Sequence, residues 1–502
     1  MFEREQDRLR VRGRWGEVAI VGPDPTAAEL LHRMQLGPVS LESALNAASL
    51  GLATSVVSRV AVLTLLEQLS QLVVRTLGTE LTARQPVPLI SLVPMTPQAR
   101  VRIMPLDPDL PVRLSSFALL RTDGAMLTIE SPLSLYRVLL HSPETGAIAA
   151  ALAVPGTLAQ LAQRCASAPE LVADAVAYLA AVGMVVVAER GEQTADTEPA
   201  PRPRFAEDGD PVLSAWAPAE LAFHVHSTQG RHDHDFGGTY PGGRRPCPEP
   251  VLKQPPAGPQ IPLYRPDISS LLETDRPFTA VLEGRSSIRT YDDEPPSSEQ
   301  LGELLYRGLR TRSLVGPPGA AAHEATLADR PYPAGGALHE LEFYVVIGDC
   351  AGLERGVYAY DTGAHALTDL AVPEAVGAPL LARAQAAATL DRHPPVLVLI
   401  TARFRRIQWK YAGLGYALVL KHVGVVQQTL YLVATAMGLA ACAIGNGEID
   451  ESCRALGLDW RTEATLGSFA LGRPHPARAG VRRTGARHPM NDAPPHPDDR
   501  AH

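Results

Sequence analysis

The sequence predicts an α+β protein in which a winged-helix-like region precedes a larger C-terminal domain. Residues 111–192 present a hairpin, two helices joined by a short turn and a strand, which is a winged-helix layout. Residues 267–474 alternate helical periodicity with continuous apolar runs that are typical of buried strands. A chain of 502 residues also exceeds what one hydrophobic core usually organises, so we expect more than one domain.

The first region, residues 1–110, mixes strands and helices, and the sequence does not define its role. We predict strands at Gly16–Val21 and Pro88–Val93 and helices at Ser40–Ala53 and Val60–Leu77. The second helix is predicted from apolar residues at helical spacing, namely Val62, Leu65, Leu66, Leu69 and Val73.

The second region, residues 111–192, has a clearer pattern. Its predicted elements are the strands Phe117–Arg121 and Met126–Ile129, the helices Thr157–Cys165 and Pro169–Val182, and the strand Met184–Ala188. Gly183 ends the second helix as a C′ glycine should. Between residues 157 and 188 the one basic residue is Arg164, which does not suit a DNA-recognition helix. We therefore expect this region to pack or to dock a peptide or protein partner, for example by strand addition at a sheet edge.

Proline-rich stretches mark the remaining boundaries. Residues 193–266 form a predicted linker that includes the segment FHVHSTQGRHDHDFGGTY. Residues 475–502 form a tail that we expect to be disordered, since it is rich in proline and has no aromatic residue. The histidines near this end have no metal-ligand spacing, and we predict no metal site.

Composition excludes several classes of protein. The chain carries 46 Lys and Arg against 54 Asp and Glu, which argues against a protein held to nucleic acid by phosphate contacts. Its 5 cysteines form no C-x-x-C pair, which fits a reducing cytoplasm better than a disulfide framework or a zinc site. The charged start of the chain lacks the apolar core of a signal peptide.

The longest apolar stretch, Ala417–Met437, has the length of a membrane span. Four polar residues inside it would be costly in hydrocarbon, namely Lys421, His422, Gln427 and Gln428. We therefore expect a fully buried helix of a protein that does not enter the membrane.

Three short motifs in the C-terminal domain suggest chemistry. GRSSIRTY (284–291) places two arginines and two serines together, which suits a phosphate, although surface clusters of this kind are common. Pro-Ala-Gly-Gly (333–336) lets the backbone approach a flat ligand, or it is an ordinary turn before a strand. Lys410 has aromatic neighbours, and burial would favour its neutral, basic form; a lysine at the surface is the alternative.

The order of these motifs resembles the nitroreductase-like flavoproteins, whose fold is a mixed sheet flanked by helices. The string runs GRSSIRTY, PYPAGGALHELEFYVV, WKYAGLGY, GVVQQTLYLVATAMGLAACAIG and FALGRP. Within that group the chain resembles the SagB-type dehydrogenases, the McbC-like flavin oxidases of azole-containing peptide biosynthesis. FALLRTDGAMLTIESPLSLYRVLL and the segment FHVHSTQGRHDHDFGGTY add to the resemblance, which covers about residues 111–474.

The resemblance implies FMN as cofactor and assigns roles to individual positions. The FMN phosphate and ribityl chain would meet Arg285, Ser286, Ser287 and Arg289, and Arg473 is a weaker candidate for the phosphate. The loop against the flavin would comprise Pro333, Ala334, Gly335 and Gly336, where Ala334 replaces the usual serine, and Gly445 would turn over the isoalloxazine. Lys410 and Tyr411 match the Lys-Tyr pair associated with catalysis in the azoline oxidases.

The function that the resemblance implies is oxidation of thiazoline or oxazoline rings to thiazoles or oxazoles in a ribosomally made peptide. Expected partners are the azoline-containing precursor peptide, a cyclodehydratase complex and a second copy of the chain in a homodimer. Lys410 would remove the ring proton, and Tyr411 would orient the ring or relay the proton. A generic NAD(P)H-dependent nitro- or flavin reductase, and a flavin-free scaffold protein, are the alternatives.

Overall fold

The computed structural model describes residues 2–5, 8–21, 30–34, 37–40, 64–79, 87–190, 203–243, 249–316 and 327–476. The chain divides into two compact units, Met1–His234 and Asp235–His502. The predicted disordered tail lies almost entirely outside the described residues, as does the predicted helix Ser40–Ala53 from residue 41 onward.

The described residues of the first unit form three antiparallel sheets. One has the order β1-β2-β3, a second has the order β4-β5-β9-β8-β7, and β6 pairs with β10. The strands are β1 (Phe2–Glu5), β2 (Arg8–Gly13), β3 (Gly16–Val21), β4 (Arg75–Thr79), β5 (Val87–Pro94), β6 (Val112–Leu114), β7 (Leu119–Asp123), β8 (Met126–Glu130), β9 (Tyr136–Leu140) and β10 (Val185–Val187). The strands predicted at Gly16–Val21 and Pro88–Val93 are confirmed.

The helix predicted at Val60–Leu77 is wrong at its C-terminal end. Residues 64–68 are helical, but residues 75–77 belong to β4. Arg75 lies opposite Leu92 in the antiparallel pairing with β5, so the backbone groups of β4 bond to the next strand instead of to a helical turn. Helical spacing of apolar residues could not reveal that pairing.

The hairpin, helices and final strand predicted between 111 and 192 are present. Besides the helical residues 30–34 and 64–68, the described part of this unit has the helices α1 (Pro143–Ala151), α2 (Leu158–Cys165), α3 (Pro169–Ala181), α4 (Ala206–Gly209) and α5 (Pro218–His226). Thr157 caps α2 through a capping box with Gln160, and Gly183 follows α3 with a φ of +73°. The hairpin β7–β8 joins the five-stranded sheet, however, whereas β10 pairs with β6. Strands on both sides of residue 110 therefore share one sheet.

The second unit is built on a seven-stranded sheet with the order β11-β16-β15-β14-β17-β19-β18. Its strands are β11 (Gln260–Pro262), β12 (Ser313–Val315), β13 (Leu327–Asp329), β14 (Leu341–Ile347), β15 (Gly356–Asp361), β16 (Ala366–Asp369), β17 (Val396–Arg403), β18 (Ala440–Ile444) and β19 (Glu463–Gly472), with β12 and β13 paired apart from the sheet. The resemblance implied a mixed sheet, but every pairing in the described sheet is antiparallel. Strands β17 and β18 run in the same direction, but β19 lies between them and pairs antiparallel with both.

Helices cover both faces of this sheet. They are α6 (Ile268–Thr274), α7 (Phe278–Gly284), α8 (Ser298–Leu309), α9 (Glu374–Ala388), α10 (Phe404–Gln408), α11 (Gly415–Ala436) and α12 (Asp450–Leu456). Side chains alternate along β14, so Phe343 and Val345 pack with α8 and α11, whereas Tyr344 and Val346 pack with α9 and α12. All residues of β14 and β17 are buried, as their continuous apolar runs predict.

The prediction that the apolar helix is fully buried is wrong. Val419, Val426 and Leu430 of α11 pack in the core, but Tyr416 and Leu420 are 40% and 41% exposed. Among the described residues, α11 is the one helix whose length and composition would allow a membrane span. Its buried side belongs to the core of the sheet domain, as in a core helix of the same length.

A histidine at the approach to β14 is both buried and strained. His339 is 3% exposed, has a φ of +46° and packs edge-on against Tyr332. Burial, and next the positive charge of Arg330, lower the pKa of His339 from 6.5 to about 3. The folded protein therefore holds this imidazole neutral throughout the mildly acidic range.

We predict that His339 makes the protein less stable as the pH falls below 6.5. Between pH 6.5 and 3 the unfolded chain binds a proton that the folded chain excludes, so this residue lowers the free energy of unfolding by about 1.4 kcal/mol per pH unit. His339→Asn, which tolerates positive φ, should flatten this dependence in urea unfolding at pH 6.5, 5.5 and 4.5. Equal losses in the wild type and the variant would contradict the prediction.

Candidate active site

The predicted catalytic pair lies in the turn between α10 and α11. The backbone N–H groups of Lys410 and Tyr411 both donate to the carbonyl of Ile407, at 3.2 and 3.0 Å. Both side chains are half-buried, and the Lys410 Nζ lies 5.4 Å from the centre of the Tyr411 ring. The amine is therefore neither sealed in the core nor fully solvated.

The structure brings the predicted flavin loop against this pair. A Cβ atom added at Gly336 would lie 2.7 Å from Lys410 Nζ and 3.2 Å from Tyr411 Oη. Gly336 also has a φ of +62°, which favours glycine. Two motifs that are more than seventy residues apart in sequence thus meet at a point where only glycine fits without displacement.

A buried histidine–carboxylate pair anchors the loop. The backbone N–H of Gly335 donates to His422 Nε2 at 2.9 Å, so the ring proton lies on Nδ1, which donates to Glu340 Oε1 at 2.6 Å. Glu340 is fully buried and His422 is 7% exposed. In the sequence, His422 stands out only as a polar residue in an apolar helix, and that unusual placement is the available signal.

Two buried arginines support the base of the loop. Arg330 donates to the Tyr332 hydroxyl at 3.0 Å and to the Leu341 carbonyl at 3.1 Å. Arg406 donates to the carbonyl of Leu338 at 3.0 Å. Burial lowers the pKa of Arg406 to about 9 and raises the pKa of Tyr332 to about 12. Neither arginine was identified from the sequence, because nothing local shows that it is buried.

The predicted phosphate-binding segment carries two arginines that no carboxylate of the described residues neutralises. Arg285 lies over the Tyr431 ring at 5.2 Å, and Arg289 donates to the carbonyl of Ala388 at 2.9 Å. Within the described part of the chain, no carboxylate forms an ion pair with either guanidinium. Ser286 and Ser287 are exposed, and Ser287 Oγ lies 2.7 Å from Tyr431 Oη. The segment can therefore offer charge and hydroxyl groups to an anion.

The two remaining candidates are less closely tied to the site. Arg473 forms a 2.5 Å ion pair with Glu294, and its carbonyl accepts from the Asp292 N–H, so the end of β19 is joined to the chain just after the phosphate segment. Gly445 follows β18 at the surface, and no atom lies within 4 Å of a Cβ built there. Their roles toward a flavin stay predictions.

Two family models match the chain. The model described as the nitroreductase family matches residues 282–473, and the model described as cyanobactin oxidase ThcOx matches residues 112–233. Both intervals fall within the range 111–474 over which the resemblance was predicted. The nitroreductase-like fold of the C-terminal domain is confirmed.

Individual proteins are similar to parts of the chain. A Methanocaldococcus jannaschii protein described as a nitroreductase is 30% identical over 188 residues, which are 38% of this chain and 85% of that protein. The trifolitoxin-processing protein TfxB of Rhizobium leguminosarum is 35% identical over 113 residues, which are 21% of this chain and 30% of that protein. A chain of the E. coli microcin synthetase McbBCD complex with truncated pro-MccB17 is 22% identical, with a TM-score of 0.32. The match covers 52% of this chain and 93% of that chain.

We predict that His422→Leu destabilises the protein more than the same change at another buried histidine. It removes the donor to Glu340 and leaves the buried carboxylate unpaired, which costs about 3 kcal/mol. His365 is the matched control, because its ring nitrogens contact two neutral groups, Tyr360 Oη and the Tyr264 carbonyl, each at 2.8 Å. His365→Leu should cost about 1–2 kcal/mol in denaturant unfolding. Equal losses of unfolding free energy in the two variants would show that the Glu340 carboxylate adds no more stability than a neutral hydrogen-bond partner.

Proposed function

This chain belongs to the nitroreductase family, and we propose that it is an FMN-dependent dehydrogenase of the SagB type. It would oxidise thiazoline or oxazoline rings to thiazoles or oxazoles in a ribosomally made peptide. The observation that carries the proposal is the contact of Gly336 with Lys410 and Tyr411, since ordinary nitroreductases are not expected to have that pair. The matches to a cyanobactin oxidase model and to a trifolitoxin-processing protein support a peptide substrate.

The residues present fit FMN. Arg285 and Arg289 are free of carboxylate partners in the described structure and suit its phosphate. The Gly335–Gly336 backbone offers a surface without side chains on which a flat ring can lie. Bound there, the isoalloxazine would accept the hydride that the azoline ring gives up. Ala334 supplies no hydroxyl, so at this position a backbone amide would have to serve.

Lys410 is suited to take the ring proton. Aromatisation removes one hydride and one proton from the ring, so the proton needs a base at the site. Only 3 of the 46 basic residues in the chain are lysines, namely Lys253, Lys410 and Lys421. Because arginine stays protonated and lysine can lose its proton, an amine beside the flavin loop is the more capable base. Tyr411, with its hydroxyl beside Gly336, can orient the ring or relay the proton.

The first unit offers a surface for the precursor peptide. Strand β7 lies at the edge of its five-stranded sheet, and all five of its residues are exposed. Asp123 and Met126 close the hairpin, so Leu120 and Thr122 direct their backbone N–H groups away from β8. An extended leader peptide can pair with this edge, as strand-adding partners do.

A second copy of the chain can cover the exposed side of α11. Tyr416 and Leu420 lie there, and Phe278 on α7, the neighbouring helix, is 68% exposed. Apolar surface of this kind is typical of a subunit interface. A homodimer, joined by a cyclodehydratase that makes the azoline, is therefore part of the proposal.

The function is tested by incubating the purified protein with an azoline-containing peptide in air. We expect mass spectrometry to show the loss of two hydrogens per oxidised ring and the protein to carry FMN absorbance. Rapid flavin reduction by NAD(P)H with unchanged azoline peptides would instead select the generic reductase, which the nitroreductase match alone would fit. A colourless protein that takes up no FMN would select the scaffold alternative.

We predict that Lys410→Ala lowers kcat for ring oxidation by about 100- to 10,000-fold while the flavin stays bound, because only the base is lost. Lys410→Arg is the matched control: it keeps the positive charge but cannot accept a proton, so it should be equally slow. Stopped-flow flavin reduction by the azoline peptide measures both variants. Activity in the arginine variant would rule out the assignment of Lys410 as base.

We predict that Leu120→Pro weakens binding of the full-length precursor peptide by about tenfold, since it removes one backbone donor from the edge strand. Oxidation of a short azoline peptide without a leader should be unchanged. Leu120→Ala retains the N–H and serves as the control. Fluorescence anisotropy of a labelled precursor gives the affinities; equal losses for both variants would point to a side-chain contact instead of strand pairing.

A further inference from the structure

The segment Gly237–Tyr240 is bonded to the backbone of the Lys410 turn. Gly237 and Ala412 exchange two hydrogen bonds, N–H to carbonyl in each direction, at 3.1 and 3.0 Å. The Tyr240 N–H donates to the Lys410 carbonyl at 3.0 Å, and the Tyr240 ring packs edge-on against Trp409 at 4.9 Å. The residues on both sides of the Lys410 side chain are thus fixed by this segment, which lies between the intervals that the two family models match.

Gly238 and Gly336 approach Lys410 and Tyr411 from two directions. A Cβ at Gly238 would lie 3.6 Å from Lys410 Cε and 3.9 Å from Tyr411 Cε1. A Cβ at Gly335 would lie 3.4 Å from Tyr411 Cε2, on the opposite edge of the same ring. The catalytic pair therefore lies between two segments that present backbone and no side chain. Gly238 and Gly336 are both exposed, so this gap opens to solvent.

We propose that Gly237–Tyr240 forms one wall of the active site and that the missing side chain at Gly238 sets the width of the entrance to Lys410. The inference rests on the proposed function and makes it more specific. A ring inside a peptide continues into chain at two positions, so it needs clearance on both sides to approach the amine. Two walls without side chains provide that clearance for a planar heterocycle within a chain.

Gly238 is a suitable position for a steric test. It does not have a positive φ, so a side chain strains no backbone there, and an added methyl group would make ordinary van der Waals contact. Gly238→Ala and Gly238→Val form a graded pair. Gly242→Val is the matched control, because Gly242 lies in the same stretch, also lacks a positive φ, and has no atom within 4 Å of its Cβ position.

The first measurement does not depend on ring oxidation. The flavin-loaded full-length chain is treated with a small acylating reagent, acetic anhydride, and with a bulky one, a biotin succinimidyl ester. Peptide mass mapping then gives the modification of Lys410 relative to the other two lysines. We expect Gly238→Val to slow biotinylation of Lys410 by about tenfold or more, the effect of a misplaced methyl group or two in a tight site, and to leave acetylation nearly unchanged. Gly238→Ala should be intermediate and Gly242→Val should resemble the wild type.

The second measurement links the wall to substrate choice. Gly238→Val should lower kcat/KM for a peptide with an internal azoline by about tenfold more than for a small free thiazoline, with FMN content and thermal stability unchanged. The proposal is overturned if Lys410 is biotinylated equally in Gly238→Val and Gly242→Val. It is also overturned if neither reagent modifies Lys410 in the wild type. If both reagents modify Lys410 of the wild type but the protein oxidises no azoline ring, the proposed function is wrong, whereas the role of Gly237–Tyr240 as a wall beside Lys410 is retained.

Discussion

The candidate site depends on one hydrogen-bonded chain that runs from the buried carboxylate of Glu340 through His422 to the backbone of Gly335. Glycine loops have many accessible conformations, and ordering one is entropically costly. Here a buried ring, held at both nitrogens, fixes the loop from beneath, and the low local dielectric strengthens both bonds. Positions 335 and 336 can then be glycines, because the conformation of the loop does not depend on the packing of side chains at these two positions. This is the property that a flat ligand and a reactive amine both require.

The antiparallel register explains why the glycine loop and the predicted catalytic pair meet at all. Leu341 at the start of β14 lies opposite Ala402 near the end of β17. The segment that precedes β14 and the segment that follows β17 must therefore leave the sheet at the same end of these two strands. The first carries Gly335 and Gly336, and the second carries Lys410. The Arg403 N–H donates to the Glu340 carbonyl at 2.9 Å, which extends the pairing by one step toward the site.

The sequence allowed much of this to be predicted, but only where local pattern decides structure. Continuous apolar runs identified β14 and β17, and a glycine after a helical pattern identified the end of α3. Family resemblance assigned Gly336 and Lys410 to the site, but their contact was not predicted, since register is set by pairing between distant strands. His422 and Arg406 were missed for a related reason: their roles come from burial, which arises only when α11 and the loop pack together. The partial exposure of α11 was missed because an apolar sequence does not indicate which of its faces the chain itself covers.

The cations of this site divide two tasks that one residue type could not combine. Arg330 and Arg406 are buried and direct their guanidinium donors at carbonyl oxygens, and even with its pKa lowered to about 9, Arg406 keeps its charge at neutral pH. A permanent charge with several donors suits a structural clamp and excludes proton transfer. Lys410 is half-buried at the open end of the same loop, on a flexible stem. In the proposed function, fixed charge beneath would keep the loop rigid, and the Lys410 amine above it would be the group that exchanges a proton with the substrate.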